Sequence, residues 1–239
     1  MICKNVIRFS SNLLKNLINK PQLNSLKCTS SFSTQNFTKN NQNLVIDLSF
    51  EDLMTSEECH RLALDLNMIY HINNLAQPEK RFDINICHQL SKMSLTIDYL
   101  GRYLPSMENQ DHFHIRGISY LNLFDKNRLV YLSPDAKDVI DFDLNDIYII
   151  GGIVQKKVFR RDSNNVTYSK AKRDGIRVGR FPIDHLISDQ MKRGFILFLP
   201  QVFNILSDVK VSDNWESAVR RHLPNWKLKP FDRFQRISY

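Results

Sequence analysis

The sequence predicts an α/β fold built on a mostly parallel sheet with helices on both faces. Three observations carry that prediction. Short, almost continuous apolar runs recur at 44–48, 82–86, 129–132 and 147–150, and such runs suit strands buried on both faces of a parallel sheet. Stretches with helical spacing and helix caps separate them. The last run leads directly into Gly151-Gly152, where a strand meets either a ligand crevice or a tight turn.

Taken in order, Leu44-Val-Ile-Asp-Leu48 reads as the first strand. Thr55 with Glu58 three residues later forms a capping box that opens a helix. Residues 82–86 read as a second strand, 89–103 as a helix and 118–123 as a third strand. Residues 129–132 form the next strand, ended by Ser133-Pro134-Asp135, where Ser or Asp would cap a helix carrying Val139 and Ile140. After the strand at 147–150 come a polar, basic loop over 155–165, a helix near 167–174 stopped by Gly175, and an extended segment at 176–181. Two helices near 195–207 and 213–222 precede a basic tail.

Charge divides the chain of 239 residues into unlike parts. Residues 1–42 hold six Lys or Arg and no Asp or Glu, residues 43–155 carry a net −8, and residues 156–239 a net +10. The first twenty residues space Val6, Ile7, Leu13, Leu14, Leu17 and Ile18 along one side of a helix with Arg8, Lys15 and Lys20 between them, and a Ser/Thr/Asn-rich stretch follows. An acid-free, amphipathic, basic terminus of this kind is expected to be a mitochondrial transit peptide. The expected organisation is therefore 1–42 transit peptide and linker, 43–225 the folded domain and 226–239 a basic tail. The basic carboxyl-terminal part suits a polyanionic partner as well as a solvated face. No segment reaches the length of apolar chain needed to span a bilayer, the run 195–206 being interrupted by Pro200 and Gln201. Cys59-His60 and Cys87-His88 lack metal-ligand spacing, so no metal site is expected. No G-x-x-x-x-G-K phosphate loop is present.

In an open α/β sheet ligands sit beyond the carboxyl ends of strands, so Leu132-Ser133-Pro134 and Ile150-Gly151-Gly152 mark one crevice. By itself that pattern fits a structural turn equally well.

Six ordered blocks then resemble the tRNA purine-N1 methyltransferases that modify position 9. They are Leu129-Val-Tyr-Leu-Ser-Pro-Asp135, Ile147-Tyr-Ile-Ile-Gly-Gly-Ile-Val154, Ser169-Lys-Ala-Lys-Arg-Asp-Gly-Ile176, Arg180-Phe-Pro-Ile-Asp184, Gln201-Val-Phe-Asn-Ile-Leu206 and Asp213-Asn-Trp-Glu-Ser-Ala218. Val45-Ile-Asp-Leu-Ser-Phe50 fits as well, so the likeness spans about 44–225. The resemblance implies a SPOUT-type fold with a carboxyl-terminal trefoil knot, a rare exception to unknotted topology. It implies S-adenosylmethionine as cofactor, held by Leu132, Ser133, Gly151, Gly152, Lys156, Lys157, Thr167, Arg180, Phe181 and Pro182, with Ile196, Leu197 and Phe198 closing over it. Arg160, Arg161, Lys170, Lys172, Arg173 and Arg177 crowd the neighbouring segment and are expected to meet tRNA phosphates. With the transit peptide, the resemblance points to the mitochondrial matrix. It implies mitochondrial tRNA and precursor tRNA as substrates. Its implied partners are the short-chain dehydrogenase-type scaffold and metallonuclease subunits of mitochondrial ribonuclease P.

Gln155 departs from the family pattern, which places a general-base Asp after Gly-Gly-x-Val. N1 of guanine carries a proton that must leave as the methyl arrives, and a carboxylate can accept it, whereas an amide cannot. N1 of adenine presents a lone pair and needs only orientation. The sequence thus leaves open an adenine-preferring enzyme, an enzyme using another base, and a tRNA-binding subunit without methyl transfer.

Overall fold

The computed structural model describes residues 41–88, 93–104, 111–154, 165–188, 197–224 and 228–229. Six strands are described, β1 (Gln42–Asp47), β2 (Phe82–Cys87), β3 (Phe113–Arg116), β4 (Leu129–Leu132), β5 (Ile147–Gly151) and β6 (Arg177–Gly179). They form one sheet in the order β3-β2-β1-β5-β4-β6, and every pair is parallel. The helices are α1 (Ser56–Leu75), α2 (Leu95–Tyr103), α3 (Tyr120–Leu123), α4 (Val166–Asp174), α5 (Leu199–Ser212) and α6 (Trp215–His222).

Successive side chains of a strand point to opposite faces, and both faces are buried. Leu44, Ile46, Ile84, Ile86, Val130, Tyr148 and Ile150 pack with Leu62 and Leu66 of α1, Phe203 and Leu206 of α5 and Val219 of α6. Val45, Tyr131, Ile147 and Ile149 pack on the other side with Tyr120 of α3, Ala171 of α4 and Ile176. Each such aliphatic side chain contributes roughly 1.5–3 kcal/mol when fully buried, which is why the central strands read as unbroken apolar runs.

Local signals act where the sequence placed them. Thr55 Oγ1 accepts from the Glu58 amide, and Glu58 Oε2 accepts from the Thr55 amide, closing the capping box of α1. Gly175 ends α4 at φ +64°, a left-handed conformation that costs other residues about 1–2 kcal/mol. Helix α2 starts at Leu95, with Ser94 as its cap; residues 89–92 lie outside the described residues. Helix α5 begins four residues later than expected and runs five residues further, and Asn214 caps α6.

Two expectations are corrected. Residues 118–123 are not the third strand: Ser119 Oγ accepts from the Leu121 amide and starts the short helix α3. The strand is Phe113–Arg116 instead, at the edge of the sheet beside β2, where Phe-His-Ile-Arg alternates apolar and polar and Phe113 is buried. No helix follows Ser133. Its hydroxyl accepts from the Asp135 amide in a single turn, and Val139 then pairs in parallel with Arg180. The Arg180 amide donates to Asp138 O and the Ile140 amide to Arg180 O, both at 2.9 Å, so strand-like pairing and burial of Ile140 override the helical pattern.

Beyond the expected domain edge, Leu228 is buried and bridges to Ile187. Residues 1–40, which hold nearly all of the expected transit peptide, and 155–164 of the expected basic loop lie outside the described residues. Among the described residues no helix is long and apolar enough to cross a membrane.

At the amino ends of the strands Asp208 ties the layers together. It accepts from Lys80 at 2.5 Å, Arg221 at 2.5 Å and His222 at 2.7 Å. Burial pushes the carboxyl up, but these three donors prevail and hold it at about 2. A carboxyl depressed in the folded state stabilises above its unfolded value near 4, and that stability is lost as pH falls through the folded value. Stability measured by thermal melts is therefore expected to fall between about pH 4 and pH 2, and Asp208→Asn should remove that part of the slope while lowering stability at neutral pH.

Candidate functional site

The register sets the carboxyl ends of the strands level. Asp47 lies opposite Cys87 and Gly151, and Leu132 opposite Ile150 and Gly179. The two strand ends expected to flank a crevice, Leu132-Ser133 and Gly151-Gly152, are therefore neighbours in the sheet. Its glycines serve packing directly. A Cβ on Gly151 would lie 2.7 Å from Thr167 Cγ2, and one on Gly152 would lie 2.8 Å from Leu48 Cδ2 and 3.1 Å from Asp47 O. The Gly152 amide donates to that same carbonyl. The close approach is thus of β5 to β1 and α4.

Ser133 and Thr167 are both buried, and the Thr167 hydroxyl donates to Ser133 Oγ at 2.8 Å. The residues expected at the cofactor, Leu132, Ser133, Gly151, Gly152, Thr167, Arg180, Phe181 and Pro182, all fall at the ends of β4, β5 and β6 or the start of α4. Phe181 packs on Trp215 with ring centroids 4.9 Å apart. Val154 and Leu197 pack against the same core while partly exposed. Phe198 is exposed at the start of α5, and Arg180 is ion-paired to Asp184. Lys156, Lys157 and Ile196 lie outside the described residues, as does Gln155.

A buried polar chain missing from the sequence-based set underlies this crevice. Asp47 Oδ2 accepts from Tyr131 at 2.9 Å, its Oδ1 accepts from the Ser49 amide at 3.0 Å, and Lys170 Nζ stands 3.8 Å from it. Lys170 also pairs with Asp174 at 3.2 Å, and the Tyr120 hydroxyl donates to Asp174. Burial raises the Asp47 carboxyl above the usual range, opposed by Lys170 and by the hydrogen bonds from Ser49 and Tyr131. Burial and the Asp47 charge push the Cys87 thiol up to about 12 and the Tyr131 phenol well above its ordinary value, so neither ionises near neutrality. The one signal available in the sequence was a carboxylate ending an otherwise apolar strand.

Of the expected phosphate contacts, Lys170 faces inward between two carboxylates, and Arg177 is bound to Asp146 and to Asn127 O. Lys172 lies 5.4 Å over the Tyr168 ring, and Arg173 opens onto a cleft. Arg160 and Arg161 lie outside the described residues. The cleft, about 690 Å³, lies between the loop after β1, His88 at the end of β2, the start of α2 and the α4 stripe Val166, Ser169, Lys170 and Arg173. Its volume suits a nucleotide-sized ligand. Phe50 lines it and also stands 3.2 Å from the Cβ direction of Gly151, so cleft and strand-end crevice share a wall. Among the described residues no cluster of three or more His, Cys, Asp or Glu could hold a metal.

Residues 9–228 match the sequence profile of the family described as tRNA (guanine(9)-N(1))-methyltransferase TRM10/TRM10A. The chain belongs to this family. The mitochondrial ribonuclease P protein 1 homolog of Drosophila melanogaster is 30% identical over 187 residues, covering 77% of this chain and 40% of the fly protein. The tRNA (guanine(9)-N1)-methyltransferase of Schizosaccharomyces pombe is 31% identical over 188 residues, covering 77% and 58%. The chain thus spans about half the length of these relatives. The crystal structure of spTrm10(74) superposes with TM-score 0.67 at 29% identity, covering 77% of this chain and 96% of that one. The full-length spTrm10 complex with SAH superposes with TM-score 0.64 at 29% identity, covering 77% and 97%. The SPOUT methyltransferase fold expected from the sequence is therefore the fold of this TRM10-family domain.

Proposed function

We propose that this chain transfers a methyl group to N1 of the purine at position 9 of mitochondrial tRNA, and that it acts within mitochondrial ribonuclease P during 5′-end processing. The observation that carries the reading is the gathering of Leu132, Ser133, Gly151, Thr167 and Phe181 at one set of strand ends, in a chain of the TRM10 family. S-adenosylmethionine, when bound, supplies the methyl group. The residues present suit it: Leu132, Phe181 and the partly exposed Val154 and Leu197 offer apolar walls for an adenine, while main-chain groups at the ends of β4 and β5 offer polar edges. Ser133 and Thr167 fix α4 against the strand ends, and the Asp47 chain holds that helix from beneath. Arg173 lines the cleft, and with Lys172 of the same helix it would meet tRNA phosphates. Reaching a purine in folded tRNA requires drawing it out of the stack, and the cleft beside α4 has room for it.

The acid-free first 42 residues and the mitochondrial name of the fly relative support a matrix address. That relative's name also supports ribonuclease P membership, with dehydrogenase-type scaffold and metallonuclease subunits as partners. The SPOUT fold shared with spTrm10 supports a trefoil-knotted path for the carboxyl-terminal half.

Gln155 favours a second reading, a tRNA-holding subunit without methyl transfer. The two part in one assay. The full chain, with and without its partner subunits, is incubated with labelled S-adenosylmethionine and tRNAs bearing G or A at position 9. Label at N1 of nucleotide 9 is the expected result; cofactor binding without transfer to either tRNA overturns the enzyme reading in favour of the second.

A further inference from the structure

We propose that the cationic cluster gathered on Asp208, at the amino ends of the strands, is a second RNA-binding surface that grips backbone phosphates of the same tRNA, away from the nucleotide at position 9. The inference rests on the tRNA reading above. The crevice and the cleft lie at the carboxyl ends of the strands, whereas Lys80 and Arg81 immediately precede β2. At about 3.3 Å per residue the six residues of β2 set the two ends roughly 20 Å apart. The cluster is therefore separate from the cofactor end.

Its parts are held in place from inside. The Asp208 side chain is only 6% exposed, and it collects Lys80 from the turn before β2 with Arg221 and His222 from the end of α6. One carboxylate offsets one cation, so Lys80 and Arg221 leave a surplus positive charge even beside a neutral His222. Arg221 gives Nη1 to Asp208 yet is 55% exposed. The carboxylate thereby steadies a guanidinium fork at the surface, and phosphate oxygens accept from such a fork in pairs. Lys210 stands alongside and donates to Arg81 O. Burial lowers its ammonium to about 8, which leaves it largely charged at neutral pH. From the same helix as Arg221, Arg220 reaches Lys229 O. Residues 79–81, 208–213 and 216–222 with Lys229 hold six Lys or Arg against four Asp or Glu, whereas residues 43–155 as a whole carry a net −8.

An RNA backbone fits this surface better than a lipid one. The donors are fixed on a buried carboxylate, and the exposed apolar side chains of the adjoining segments, Leu75 and Val211, include no aromatic ring to enter a lipid interface. Phosphate contacts of this kind position an RNA without reading its sequence.

Binding of labelled tRNA is measured across salt concentrations for the wild-type chain, for Arg221→Gln and, as a control on α2, for Arg102→Gln. Lys80 and His222 remain on Asp208 in Arg221→Gln, so this variant is expected to fold. It should bind tRNA about tenfold more weakly and lower the slope of log affinity against log salt by about one, with S-adenosylhomocysteine affinity unchanged. Arg102→Gln should alter neither affinity nor slope. In the wild-type chain, tRNA should protect Lys80 from an amine-reactive label, a readout that needs no variant. Unchanged affinity and slope in Arg221→Gln, an equal loss in Arg102→Gln, or an unprotected Lys80 would each overturn the surface and leave the methyl-transfer reading standing. Loss of binding to anionic phospholipid vesicles in Arg221→Gln with tRNA affinity intact would overturn it in favour of a membrane face. A wild-type chain that binds no tRNA overturns both readings.

Discussion

Asp47→Ala is expected to lower the folding free energy by about 3 kcal/mol, the cost of removing one partner of a buried ion pair. Lys170 is mostly buried and would keep Asp174 as its carboxylate partner, while the buried Tyr131 hydroxyl would lose its acceptor. Tyr131→Phe removes one hydrogen bond and should cost only about 1 kcal/mol. Urea unfolding of the two variants beside wild type checks the ratio, and equal midpoints for Asp47→Ala and wild type would show the chain of contacts to be incidental. Asp47 also opposes Asp208 in pH dependence. Because its folded carboxyl is raised, its charged form costs stability above the unfolded value near 4, and that cost is relieved as pH falls into the window below the raised value.

Gly151→Val is expected to have the largest effect at the crevice. Its new Cβ must displace Thr167 Cγ2 from 2.7 Å and crowd the Phe50 ring at 3.2 Å. Overpacking of this kind costs about 1–3 kcal/mol of stability. Moving Thr167 also breaks its hydrogen bond to Ser133 and tilts the start of α4 away from the strand ends. S-adenosylhomocysteine affinity should fall by at least about tenfold, a loss of 1.4 kcal/mol or more, in a protein that still unfolds cooperatively. Calorimetric titration of the variant reads this, and retained affinity would place the cofactor away from Gly151.

What the sequence made legible were features whose cause is local. Thr55 and Glu58 satisfy helix-end amides within four residues, Gly175 supplies its own left-handed turn, and 147–150 is apolar because both faces are covered. The misread segments answer to distant partners. Residues 138–140 became strand-like through Arg180, forty residues on, and 113–116 offers only two apolar side chains, Phe113 and Ile115, to mark a short strand that pairs with distant β2. The candidate site divides in the same way. Ser133, Gly151 and Thr167 were readable as ordered motifs, whereas the union of Asp47, Tyr131, Lys170 and Asp174 depends on a strand order in which β1 sits beside β5. Lys170 looked like one more basic residue of a phosphate-binding face until the fold turned it inward.

The central claim, that the carboxyl ends of β4, β5 and β6 form a methyl-donor site, is tested most directly by equilibrium titration of the full chain with S-adenosylhomocysteine. The account expects saturable binding at one molecule per chain that weakens in Gly151→Val. Absence of binding by the folded wild-type chain, or equal binding by Gly151→Val, would contradict it.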